Sequence, residues 1–60
     1  MKNLATLRQA RGLSQTKLAA KIGTSQANIC KYENKQMVPR PETAKRIAAA
    51  LKCKIEELTA

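Results

Sequence analysis

Apolar residues recur at helical spacing in five stretches of this chain, and the breaks between them fall on glycine, proline or short polar runs. Leu4, Leu7 and Ala10 stand three apart, which predicts a first helix over 2–11 with Gly12 at its left-handed C-terminal cap. Ser14 is suited to cap a second helix, its hydroxyl accepting an orphan backbone N–H. Leu18, Ala19 and Ile22 form the buried stripe of that helix, and Gly23 ends it. Without a Cβ, Gly23 reaches positive φ at little cost, so the chain can reverse tightly there. Ser25 caps a third helix that runs to Glu33. On it Ile29 and Tyr32 point inward with Glu33 beside them, Ala27 and Lys31 point outward, and Asn28 and Cys30 do so in part.

The run Asn34 to Pro39 has no helical period and reads as a loop. Pro41 suits the first turn of a fourth helix, where its missing N–H is no loss, and Glu42 favours the positive end of the helix dipole. Ala44, Ile47, Ala48 and Leu51 make the inner stripe of this helix. Residues 52–54 turn the chain, and Ile55 with Leu58 close the core from a short fifth helix. Cys53 occupies an apolar position and is expected in the core. The reading is therefore all-α: one domain, 1–60, built as a compact five-helix bundle. Helices this short cannot line a long seam, so they pack orthogonally.

Charge narrows the function. Twelve Lys and Arg stand against four acids, a net +8, and residues 1–32 carry no acid at all. A one-sided positive field draws polyanions and speeds association. The outer face of the third helix, by contrast, is short of charge and offers amide, methyl and ammonium groups. That is the form of a DNA-reading helix. The chain has no histidine, and its two cysteines lack CxxC spacing, so no zinc site, nucleophile–base arrangement or cofactor is expected. An enzyme with a small-molecule substrate is not indicated. Nor is a membrane partner, since no stretch approaches the roughly 20 apolar residues of a span and the first helix lacks aromatic anchors.

Leu7-Arg8, Gly12-Leu13-Ser14-Gln15, Leu18-Ala19, Ile22-Gly23, Ser25, Ile29, Glu33-Asn34, Pro39, Glu42-Thr43, Ile47-Ala48, Ala50-Leu51, Ile55 and Glu57-Leu58 together resemble the Cro/C1-type helix-turn-helix domains of lambdoid phage repressors and Cro proteins. The likeness runs over nearly the whole chain without gaps. It implies a lambda repressor-like fold with helices 2 and 3 as the helix-turn-helix, and a cytoplasmic, bacterial or phage-encoded regulator acting on the nucleoid. The partner implied is double-stranded DNA, bound by a weak homodimer that uses the helix 4–5 region. Two positions depart from the family. Lys35 and Lys52 stand where glycine is usual, so either each lysine takes positive φ or, at 34–35, Asn34 and a neighbour absorb the turn.

The resemblance sorts the polar residues. Gln26, at the start of the recognition helix, is the prime base-reading residue, because its amide can donate to adenine N7 and accept from N6–H. Ala27 offers a methyl group to thymine, and Lys31 suits guanine or a phosphate equally; an ordinary exposed first turn is the plain alternative for Gln26 and Ala27. Gln15 opens its helix where an anion is favoured, and it can donate to a phosphate or brace Gln26. Ser14, Ser25, Asn28, Asn34, Lys35 and Arg40 are further phosphate candidates, with simple capping the competing role for both serines. Arg8 and Glu33 are expected to form a structural ion pair orienting helix 3, with a phosphate contact the other reading for Arg8. The same fold also serves antitoxins and bridging factors as a protein-interaction module. Met37-Val38 is the apolar patch that such a role would use.

Overall fold

The computed structural model describes residues 1–59. Five helices follow one another: α1 (Leu4–Ala10), α2 (Gln15–Ile22), α3 (Gln26–Glu33), α4 (Pro41–Leu51) and α5 (Ile55–Thr59). α2 packs on both α3 and α4, while α5 joins α4 to α1. Leu4, Leu18, Ile29, Ile47, Leu51 and Leu58 are fully buried, so all five helices contribute to one core. None of the helices among the described residues is long and apolar enough to cross a membrane.

The first helix differs from its sequence reading. It spans Leu4–Ala10 rather than 2–11, and Arg11 is its cap. Ala10 is exposed and Leu7 only half-buried; the residue buried one turn after Leu4 is Arg8. Of the predicted stripe, Leu4 is in the core and Leu7 packs against it, but Ala10 does not, and Arg8 shares the inner face one turn after Leu4. Cys53 is half-buried against the core's edge rather than inside it. Burial of its thiol pushes its pKa up, with the nearby Glu57 charge adding to the rise and Arg11 opposing it.

Four helices end in the same way. Leu13 N–H reaches Arg8 O (3.2 Å), Thr24 reaches Ala19 O (2.9 Å), Gln36 reaches Lys31 O (2.9 Å) and Cys53 reaches Ala48 O (3.0 Å). Each bond runs back five residues around one residue in the left-handed region, the closure that satisfies orphan carbonyls at a helix end. Those pivots are Gly12 (φ 69°), Gly23 (φ 74°), Lys35 (φ 62°) and Lys52 (φ 54°). Both lysines thus adopt positive φ themselves, and Asn34 stays at φ −88°.

The first and last helices are tied together. Asn3 donates its backbone N–H to Leu58 O and its side-chain amide to Glu57 O, both at 3.0 Å, so α5 closes on the start of α1. Arg11 Nε donates to Leu51 O (2.7 Å), placing a cation at the negative end of the α4 dipole.

Candidate nucleic-acid interface

α2 and α3 are joined by Gly23, Thr24 and Ser25, and both helices begin with the same cap. Ser14 Oγ accepts from Lys17 N–H (3.1 Å) and Ser25 Oγ from Asn28 N–H (3.2 Å). Each serine sits in extended backbone, and its hydroxyl satisfies one of the donors that a helix start leaves open. The hydroxyl hydrogen of each remains able to donate, so capping does not exclude a phosphate contact.

Gln15 and Gln26 are the first residues of α2 and α3, and the turn brings these two helix starts together. Gln26 Nε2 donates to Gln15 Oε1. Gln15 Nε2 in turn donates to Glu33 Oε1 (2.9 Å). Glu33 Oε2 accepts from Arg8 Nε at 2.6 Å, and Arg8 Nη2 lies 3.4 Å from Oε1. Arg8 also donates Nη1 to Leu13 O (2.7 Å). A continuous polar chain therefore runs from beneath α1 to the exposed tip of α3.

Its inner end is dry. The Arg8 and Glu33 side chains are 10% and 8% exposed, which makes the pair costly to break but poor evidence of net stabilisation. Against the phosphate reading for Arg8 stand its burial and the three N–H groups it donates to Glu33 and Leu13. No buried side-chain polar atom among the described residues lacks a partner, so the buried part of the network is satisfied.

The other candidates scatter around this chain. Ala27 and Lys31 are exposed on α3, as expected of its outer face. Asn28 is half-buried, and its amide donates to Thr24 Oγ1 (2.8 Å) across the turn. Thr24 was not foreseen as a partner; its polar side chain just before a capping serine is the signal that was there. Asn34 donates to Cys30 Sγ (3.4 Å) at the far end of α3. Lys35 and Arg40 are exposed on the α3–α4 loop, Arg40 as the residue preceding Pro41 at the start of α4. These last two are not joined to the Gln15–Gln26 pair by any side-chain bond. Because Arg8 matches Glu33, that carboxylate takes little from the positive field that Lys17, Lys21 and Lys31 give to α2 and α3.

Comparison with known proteins agrees with this geometry. The family described as Helix-turn-helix matches residues 4–58. The chain is 47% identical over 58 residues to the uncharacterized HTH-type transcriptional regulator RghRB of Bacillus subtilis (strain 168), covering 95% of this chain and 42% of that protein. It is 45% identical over 56 residues to the HTH-type transcriptional repressor RghR of the same organism, covering 92% of this chain and 42% of the relative. The chain thus spans less than half the length of these curated relatives. The match over α1 to α5, together with the capped α2–turn–α3 unit, makes the chain a member of the Cro/C1-type helix-turn-helix family.

Proposed function

We propose that this chain is a sequence-specific binder of double-stranded DNA in a transcriptional regulator, a repressor that occupies a pseudo-palindromic operator in the bacterial cytoplasm. It is a binding module and not an enzyme. The observation that carries this reading is the braced start of α3: Gln26 is exposed at the first position of the helix, yet held by Gln15. In a helix-turn-helix those first residues meet base edges in the major groove while the preceding helix crosses the backbone. Gln26, Ala27 and Lys31 then read bases, and Ser14, Gln15, Ser25, Asn28, Asn34, Lys35 and Arg40 contact phosphates and fix register. The net charge of +8 supplies the sequence-independent part of affinity.

Binding as a weak homodimer is supported by a groove of about 320 Å³ lined by Met1, Lys2, Lys35, Val38, Ala44 and Ile55 among others. Val38, 85% exposed, is the large apolar side chain that this surface leaves uncovered. Met37, its neighbour, packs instead against the core. The same surface has cations at its edge in Lys2 and Lys35, and Glu56 and Glu57 lie on the helix that contributes Ile55. A two-fold copy would set opposite charges against each other around an apolar centre.

A random-oligonucleotide selection tests both parts. A recovered palindrome with half-sites about one helical turn apart, bound more weakly as salt rises, is the expected outcome. Val38→Lys should weaken binding to the full palindrome while leaving half-site affinity intact. Recovery of no sequence preference at all would sink the regulator reading and favour the protein-interaction module.

A further inference from the structure

The polar chain from the core to the tip of α3 has a direction, and one end dictates it. A carboxylate offers only acceptors. Glu33 takes Arg8 Nε on one oxygen and the Gln15 amide nitrogen on the other. Gln15 must therefore turn its NH2 toward Glu33 and its carbonyl oxygen toward Gln26. That oxygen again only accepts, so Gln26 turns its own nitrogen to Gln15. What Gln26 retains toward solvent is a carbonyl oxygen and one N–H.

An acceptor beside a donor matches N6–H and N7 of adenine, whereas two donors would match O6 and N7 of guanine. The inverted arrangement is closed to Gln26 as long as Gln15 holds its orientation. Gln15 cannot turn over, because its oxygen would then face the Glu33 carboxylate, acceptor against acceptor, in a site where an unmet polar atom is expensive. We infer that Glu33, acting through Gln15, is a positioning residue that sets the donor–acceptor polarity of Gln26 and so makes it a reader of adenine and not of guanine. The inference rests on the proposed role of Gln26 at a base edge, and it adds to that role the reason for one base choice. Glu33 is then more than the partner of Arg8: it transmits an orientation over two side chains.

The test leaves the buried ion pair untouched. Gln15→Lys keeps a donor for Glu33 but offers Gln26 only donors, so the Gln26 oxygen turns inward and both its N–H groups face the groove. Gln15→Met severs the chain and frees Gln26 to adopt either orientation. The readout is competition binding between operators carrying A or G at the base assigned to Gln26, that base being the one whose preference vanishes in Gln26→Ala. Thermal melts establish that each variant is folded. The parent chain should favour A over G by roughly 5- to 150-fold, the range of a good bidentate pair. Gln15→Met should bring that ratio to near unity, and Gln15→Lys should invert it.

A ratio unchanged in both Gln15 variants, even with affinity altered equally for both operators, would overturn the polarity inference while leaving Gln26 as a base contact. A selection in which Gln26→Ala alters no position would overturn the base-reading role, and the inference with it. The two failures are distinguishable because the first is read from Gln15 and the second from Gln26.

Discussion

Lys35 and Lys52 should be replaceable by glycine with a gain in stability. Each is the left-handed pivot of a helix-ending turn, at φ 62° and φ 54°, in the role that Gly12 and Gly23 play at the other two. Holding a Cβ in that region costs roughly 1–2 kcal/mol. Glycine removes that cost but loses about 0.4–1 kcal/mol through the greater freedom of the unfolded chain. The balance is about 0.5–1 kcal/mol in favour of each Lys→Gly change. The two pivots close different helices and share no hydrogen-bond partner, Lys35 N–H going to Tyr32 O and Lys52 N–H to Ala49 O, so the gains should add. For a domain this small the double variant should melt roughly 5–15 °C higher.

Charge is the competing explanation, since each change also removes a cation from a chain of net +8. Lys35→Ala and Lys52→Ala separate the two effects, because alanine sheds the charge and keeps the strain. The converse experiment uses the native glycines. A Cβ built at Gly12 or Gly23 has nothing within 4 Å, so Gly→Ala there meets no clash and should cost the same roughly 0.5–1 kcal/mol from backbone alone. Thermal and urea melts followed by circular dichroism measure the six single variants and the double one. If the alanine variants of the lysines stabilise as much as the glycine variants, or if Gly23→Ala is neutral, backbone strain is not the cause.

Three further outcomes follow from the same structure. Arg8→Ala should cost about 3–5 kcal/mol, because it strands the Glu33 carboxylate in a nearly dry site; a melt lowered by only a degree or two would show that the pair is not buried in solution. Lys35→Gly should stabilise the fold and yet weaken binding to every DNA sequence alike, whereas Lys52→Gly should leave DNA affinity unchanged, as titrations on the selected operator would show. Cys53, whose thiol pKa is raised by burial, should alkylate with iodoacetamide more slowly in the folded chain than in urea, measured by mass spectrometry. The sign for stability follows: this contribution is complete below the ordinary thiol value of about 8.5 and is lost as pH climbs through the raised one, because the unfolded thiol ionises first.

How far the fold could be read from the chain varied with how local the cause was. Ser14, Ser25, Gly23 and Pro41 act within one turn of themselves, and α2, α3 and the start of α4 lie where these residues put them. The lysine pivots show the opposite limit. Nothing in a lysine signals positive φ, and the expectation there came from family glycines at the matching positions, with the structure deciding between the lysine itself and Asn34. The place of Arg8 on the inner face of α1 was legible only through the family resemblance, and apolar spacing did not show it, for a reason of longer range. An arginine belongs on a buried stripe only when something answers its charge, and the answer to Arg8 is Glu33, 25 residues on, with the Leu13 carbonyl beside it. Apolar periodicity cannot register a position whose burial depends on a distant acid.

The glutamines take that point from packing to recognition. Gln15 and Gln26 each carry a side chain that is a donor at one atom and an acceptor at its neighbour, so no inspection of either residue says which end faces outward. Direction enters only where the chain meets a group that cannot be reversed. Glu33 is that group, and it is held by Arg8, which the apolar pattern of α1 leaves out. The residue that would choose the base and the residue that would fix the choice therefore lie at opposite ends of one helix, Gln26 at the first turn of α3 and Glu33 at the last. A change of specificity sought at Gln26 alone must still satisfy the Gln15 oxygen, which favours side chains that keep a donor toward it. A change at Gln15 is free of that condition on the base side, and so it is the more economical place to redirect the reading of the same helix.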